Sequence, residues 1–110
     1  MAHIVVQSYS KPFRWDDAKN ARLKAERHIS FEEIALAIEQ NRLLDWYEHP
    51  NLKRYPNQRV LVVAVRGYAY VVPFVDEADH LFLKTIVPSR KATRRYLNAE
   101  QDQKAPDIGG

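Results

Sequence analysis

The chain has no cysteine. Disulfide staples, cysteine metal sites and thiol catalysis are therefore excluded, and the composition fits a reducing cytoplasm. Long apolar runs are missing too. The start, Met1-Ala2-His3-Ile4-Val5-Val6, has no basic segment and only a short hydrophobic stretch, so neither a signal peptide nor a membrane span is expected. No internal repeat is visible. No His-x-x-x-His or carboxylate–histidine cluster marks a metal site, and at 110 residues the chain has no room for a dedicated cofactor domain. Neither metal nor cofactor is expected.

What is present is an ordinary globular balance, 45% hydrophobic and 28% charged, which argues against whole-chain disorder. One domain over residues 1–98 is expected, with residues 99–110 a disordered tail. Net charge is only +3, but it is sorted along the chain. Residues 81–99 hold five basic side chains (Lys84, Arg90, Lys91, Arg94, Arg95) and no acidic one. An acidic turn, Asp76-Glu77-Ala78-Asp79, precedes them.

The pattern predicts an α+β fold. Residues 3–9 read as a short edge strand, broken by Lys11-Pro12. A helix starts at Trp15-Asp16-Asp17, with Asp16 as cap, and runs to about Arg27. Ala18, Ala21 and Ala25 give it a narrow stripe suited to close packing. Ser30 and Glu33 form a capping box for a second helix, in which Phe31, Ile34, Ala35 and Ile38 recur at helical spacing. Asn41 is a reasonable stop. Residues 43–47 then read as a strand and 49–58 as a loop with two prolines and two asparagines. Residues 59–66 and 68–75 form a hairpin about Gly67. Pro73 suggests an edge position or a bulge. Residues 81–87 make another strand. The expected architecture is two N-terminal helices packed on an antiparallel sheet of about four strands, followed by a C-terminal helix.

That last helix begins at Pro88-Ser89. At about 100° per residue, Arg90, Lys91, Arg94 and Arg95 share one arc and Ala92, Thr93, Tyr96 and Leu97 the other. Like charges at i,i+4 repel mildly, a cost without an obvious structural gain. The pattern hints at a polyanionic ligand.

Two motifs carry a resemblance to a known family. Phe13-x-Trp15-Asp16-x-x-Lys19-Asn20, followed by His28-Ile29-Ser30-Phe31-Glu32, resembles the opening of the BrnT-family ribonuclease toxins. Ile86-Val87-Pro88-Ser89-Arg90-Lys91-Ala92-Thr93-Arg94-x-Tyr96 resembles their close. The likeness spans roughly residues 13–97 and is that of a divergent branch: Arg27-His28-Ile29 stands where the family usually has Lys-His-Gly. It implies a RelE-like fold, metal-independent cleavage of RNA, and neutralisation by a small antitoxin. Such antitoxins commonly carry a ribbon-helix-helix or similar DNA-binding domain, through which the complex represses its own operator.

RNA cleavage without a metal needs a base for the ribose 2′-OH, an acid for the leaving 5′-oxygen and cations for the phosphorane. Histidine suits the first two roles and arginine the third. His28, beside Arg27 between the helices, reads as general acid or base, or as a junction histidine capping a helix. His49, in the loop with Lys53, Arg54 and Tyr55, reads as catalytic or as a solvated loop residue. His3 and His80 read as plain surface residues. Arg90, Lys91 and Arg94 are the candidates for phosphate contact, against the reading of a solvated charged face. Lys84 points opposite to Leu83 and Thr85 and can join them. Tyr55 can stack a base, as can Tyr96 unless it packs in the core. Lys19 is a candidate RNA contact or an exposed helix lysine. Trp15 and Phe31 read as core anchors, and one of Trp46 and Tyr47 should be buried. The competing reading is a binding module without catalysis, either a co-repressor with its antitoxin or an RNA-binding domain.

Overall fold

The computed structural model of the chain describes residues 11–48, 50, 51 and 53–98. The strand expected over residues 3–9, His3, His49 and the tail 99–110 lie outside the described residues. The elements are β1 (Phe13–Arg14), α1 (Asp17–Arg27), α2 (Phe31–Glu39), β2 (Leu43–Glu48), β3 (Gln58–Val65), β4 (Tyr68–Asp76), β5 (Leu81–Leu83), β6 (Val87–Pro88) and α3 (Arg90–Ala92), which continues as a π-helical stretch, Thr93–Asn98. The expected α+β class is the observed one. The sheet order is β1-β5-β4-β3-β2, with β6 beside β4 beyond the end of β5.

The sheet is mixed rather than a pure antiparallel meander. β1 runs parallel to β5, with Phe13 opposite Leu81 and Arg14 opposite Phe82. The remaining pairs are antiparallel. This parallel pair escapes a local reading because two helices and three strands separate its members in sequence.

Alternation along β3 decides the layers. Leu61, Val63 and Val65 face α1 and α2, in one core with Leu23, Phe31, Ile34, Ile38, Val72 and Phe74. Val62 faces the other way, with Ala69, against Ala92 of the terminal helix. Six successive buried residues, Val60 to Val65, are thus explained by two covered faces.

The helix ends follow their caps. The Asp16 carboxylate accepts from the Ala18 N–H at 3.2 Å. α1 stops at His28 in the left-handed region (φ 57°), its N–H donated to the Leu23 carbonyl. The Ser30–Glu33 capping box is formed in both directions, at 3.0 and 3.1 Å. Asn41, also left-handed (φ 64°), follows α2. Trp15 stacks on Phe31 at 5.5 Å between ring centres, worth about 0.5–1.5 kcal/mol beyond burial.

Three expectations are corrected. Ala18, Ala21 and Ala25 are exposed. α1 docks instead through Leu23 and Asn20, the two residues it buries. The Asn20 amide accepts from the Phe31 N–H and donates to Glu32 Oε1, both at 2.8 Å, which ties α1 to the start of α2. Trp46 and Tyr47 are both exposed, at 46% and 41%, because β2 is the sheet edge and has a neighbouring strand on one side only. The strand expected over residues 81–87 is split. Lys84 N–H donates to the Pro73 carbonyl and Val87 pairs with Val71, so Thr85 and Ile86 together face Val72. Pro73 therefore sits in an inner strand but beside this bulge. A strand residue's N–H and C=O point the same way, so the missing N–H falls where the partner ladder is already interrupted.

Asn20→Ala leaves the Phe31 N–H and Glu32 without their partner, and is expected to destabilise the fold by about 2 kcal/mol. The hydrogen bond from Asn20 is the main cause holding the Glu32 carboxyl below its ordinary 4.5. A depressed carboxyl stabilises the fold above its unfolded value, and that contribution is lost as pH falls. Denaturant melts should therefore show the gap between parent and variant narrowing below pH 4.5; a gap that does not change with pH contradicts the assignment.

Candidate nucleic-acid interface

The terminal helix is positioned by threonine and tyrosine. Ser89 caps it, accepting from the Ala92 N–H at 3.0 Å. The Thr93 hydroxyl donates to the Ser89 carbonyl and accepts from the Ala69 N–H, both at 2.8 Å. A hydroxyl that bonds back into its own first turn competes with regular α geometry. Here it coincides with the point where the helix widens to π geometry, Thr93–Asn98. Farther along, the Tyr96 hydroxyl donates to an Asp45 carboxylate oxygen on β2, a very short contact. The helix thus crosses from β6 over β4 and β3 to the sheet edge.

Its two arcs separate as expected. Ala92 is buried, and Thr93, Tyr96 and Leu97 are half-buried, while Arg90, Lys91, Arg94 and Arg95 are exposed. Among the described residues, none of these four cations, nor Lys84, takes part in an ion pair. Arg95 lies over the Tyr96 ring at 5.6 Å. Lys84 is exposed on the same sheet face. It stands at the level of Pro73, four residues or roughly 13 Å along β4 from Ala69, where the helix begins.

His28 lies on the other side, with the helix layer, but at the same end of the sheet. Its carbonyl accepts from Arg66 Nη2 at 2.7 Å, and Arg66 also pairs closely with Glu33. Arg66 occupies the β3–β4 turn with φ 51°, next to Gly67 at φ 78°. Arg27 Nη1 donates to the Ile86 carbonyl at 3.0 Å, just ahead of β6. Arg27, His28, Arg66 and the first turn of the terminal helix therefore gather around the hairpin end. The His28 position is the helix-terminating one, and its imidazole is exposed.

The loop candidates do not join them. Arg54 and Tyr55 lie between β2 and β3, at the end of the sheet remote from Gly67, and the eight residues of β3 place the two ends roughly 24 Å apart. The Arg54 guanidinium sits over the Tyr55 ring at 5.6 Å, and its backbone N–H is held by Asn51 Oδ1. Lys19, half-buried on α1, belongs to the helix layer. The described candidates thus fall at two ends of the sheet, His28 and the start of the terminal helix at one and Arg54 and Tyr55 at the other. The sequence reading missed Arg66 and the Asp45–Tyr96 pair. An arginine in a Gly-containing hairpin turn opposite a capping-box glutamate was a usable signal for the first; nothing local points to the second. Among the described residues no cluster of His, Cys, Asp and Glu suits a metal ion, and no helix is long and apolar enough to cross a membrane.

Tyr96→Phe removes the bond to Asp45 and is expected to destabilise by about 1 kcal/mol. That bond is the main cause raising the Tyr96 phenol above 10.0. The neutral phenol is the form the fold favours, so the contribution is full below 10.0 and lost as pH rises toward the native value. Urea midpoints between pH 8 and 11 should fall more steeply for the parent than for Tyr96→Phe; equal slopes refute the latch. Comparison of the chain with protein-family models, with curated proteins and with solved structures gave no match.

Proposed function

We propose that the chain is the toxin of a toxin–antitoxin pair of the BrnT kind, a metal-independent endoribonuclease acting on RNA in the cytoplasm. One observation carries this reading: four exposed cations on the terminal helix, with no carboxylate of the described chain paired to them, above an opposite arc fixed to the sheet. Guanidinium groups left in this state suit phosphate oxygens, and an array of them suits a polyanionic backbone. The sequence likeness at Trp15-Asp16, His28-Ile29-Ser30 and Pro88 to Tyr96 supplies the reaction class and the partner, a small antitoxin with a ribbon-helix-helix-type DNA-binding domain.

Arg90 follows Ser89 directly, at the hairpin end of the sheet. It is assigned a backbone phosphate of the RNA at the start of the helix. Lys91, Arg94 and Arg95 extend the contact along the RNA. The chemistry is transesterification: the 2′-oxygen attacks phosphorus, the bond to the 5′-oxygen breaks, and a 2′,3′-cyclic phosphate and a 5′-hydroxyl result.

A second reading, binding without catalysis, is favoured by one specific finding. The capping position of His28 accounts for that residue without chemistry, and the loop of Arg54 and Tyr55 lies at the far end of the sheet. The same protein would then serve as co-repressor or RNA-binding domain.

Incubation with RNA in EDTA separates the two. Cleavage that survives the chelator, with growth arrest on expression alone, supports the enzyme; intact RNA with well-folded protein refutes it. Arg90→Ala is expected to weaken RNA binding, and with it cleavage at sub-saturating RNA, at unchanged Tm. Binding of single-stranded RNA should weaken with salt at a slope near about −3 for four phosphate contacts. A flat salt dependence removes the phosphate role from this helix under either reading.

A further inference from the structure

The sheet face that carries the terminal helix also presents a row of side chains on β5. Leu81 and Leu83 are buried in the core on the α1–α2 side. Alternation therefore sends His80, Phe82 and Lys84 to the opposite side. The His80 and Phe82 rings meet edge to face at 6.4 Å, which fixes them on one side of the strand. Phe82 pairs with Val75, and Lys84 continues the ladder against Pro73. Val75, Pro73, Val71 and Ala69 alternate down β4 on that same face, and Ala69 is where the terminal helix docks. Arg14 of β1, exposed, lies opposite Phe82 in the parallel register and so on its side.

His80 is the described histidine that shares a sheet face with the terminal-helix cations. It is built as an oriented imidazole. Asp79 Oδ1 holds Nδ1 at 2.7 Å, and the side chain is 23% exposed. His80 and, to a lesser degree, Arg14 hold the Asp79 carboxyl below its ordinary 3.8, so it is ionised and accepts the Nδ1 proton. Nε2 is the ring nitrogen that this contact leaves unengaged by Asp79. The groups around the ring are Asp79 on its own turn, Glu77 across that turn (its N–H on the His80 carbonyl), Arg14 on β1 and Lys84 farther along β5.

We propose that His80 is a catalytic general base of the RNA cleavage described above, with Arg14 and Lys84 holding phosphates along the path from it toward the terminal helix and the Phe82 ring beneath a base. The inference rests on the ribonuclease reading and deepens it: the substrate is single-stranded RNA laid along β5 toward the terminal helix. Lys84 lies roughly 13 Å from His80 by strand rise, and the terminal helix begins a similar distance beyond. A chain of cations thus spans a few nucleotides, and Phe82, between them, offers the apolar surface on which a single-stranded base stacks. In the step itself His80 Nε2 takes the 2′-OH proton, the 2′-oxygen bonds to phosphorus, the phosphorus–5′-oxygen bond breaks, and the 5′-oxygen takes its proton from water. Asp79 acts through the imidazole and is a positioning residue.

The test is single-turnover cleavage of a short single-stranded RNA by the parent, His80→Ala, Asp79→Asn and Lys84→Ala, with Tm measured for each. His80→Ala is expected to lose between 10²- and 10⁴-fold in rate and to recover part of it when free imidazole is added. A merely structural histidine would not be rescued in this way. Lys84→Ala should weaken RNA binding and reduce its salt slope by about one contact. An active parent with an equally active His80→Ala overturns this inference and leaves the ribonuclease reading standing. Loss of rate in His80→Ala without imidazole rescue and with a lowered Tm overturns it as well. A parent that leaves the RNA intact overturns both.

Discussion

Burial of β3 on both of its faces governs the rest of the molecule. A strand reading Val60-Leu61-Val62-Val63-Ala64-Val65 cannot leave either side to water without exposing several apolar side chains, each worth about 1.5–3 kcal/mol when covered. α1 and α2 cover Leu61, Val63 and Val65. The terminal helix covers Val62 and Ala69. At those points the sheet offers only Val and Ala, so the helix approaches with Ala92 at the contact and uses Thr93 to satisfy the Ala69 N–H. Its small and aromatic residues are consumed by that docking. The charged arc has nowhere to go but outward.

Strong local signals in the sequence correspond to the parts of the fold that local physics decides. The Ser30–Glu33 capping box, the Asp16 cap, the stop at Asn41 and the two arcs of the terminal helix each involve residues within a turn of one another. The structure departs from the sequence reading where partners are distant. Ala18, Ala21 and Ala25 have the spacing of a packing stripe, yet Asn20 wins the interface because its amide meets two groups of α2 at once. Trp46 and Tyr47 alternate as a strand should, but β2 proves to be an edge, which no local pattern announces. Pro73 was legible as an irregularity. Its form, a bulge at Thr85 and Ile86 in the neighbouring strand, depends on a register set across the hairpin. The candidate site shows the same division. The charges of the terminal helix were legible, whereas their distance from the Arg54–Tyr55 loop and the shared face of Lys84 and His80 follow from strand order.

Topology also separates two histidines that look alike in sequence. His28 and His80 both stand at element boundaries beside charged neighbours. His28 ends α1 in a left-handed conformation, and its carbonyl is bound by Arg66, so its place is explained by chain reversal. His80 opens β5 with an ionised carboxylate on one ring nitrogen, on the face of the terminal helix. Sequence likeness draws the eye to the first; strand alternation favours the second.

The energetics of the terminal helix bear on why its cations stand unpaired. Repulsion between Arg90 and Arg94 and between Lys91 and Arg95 costs a few tenths of a kcal/mol per pair. The hydrogen bonds of Thr93 and Tyr96 contribute about 1 kcal/mol each, and burial of Ala92 and the flanks of Tyr96 and Leu97 adds to that. Docking therefore outweighs the repulsion without help from any carboxylate. Arginines kept for stability would be expected to pair, as Arg66 does with Glu33 and Arg59 with Asp76. Among the described residues, Asp76, Glu32, Glu33 and Asp79 pair with groups other than the terminal-helix cations, and those four cations stay exposed on a helix whose docking does not depend on them.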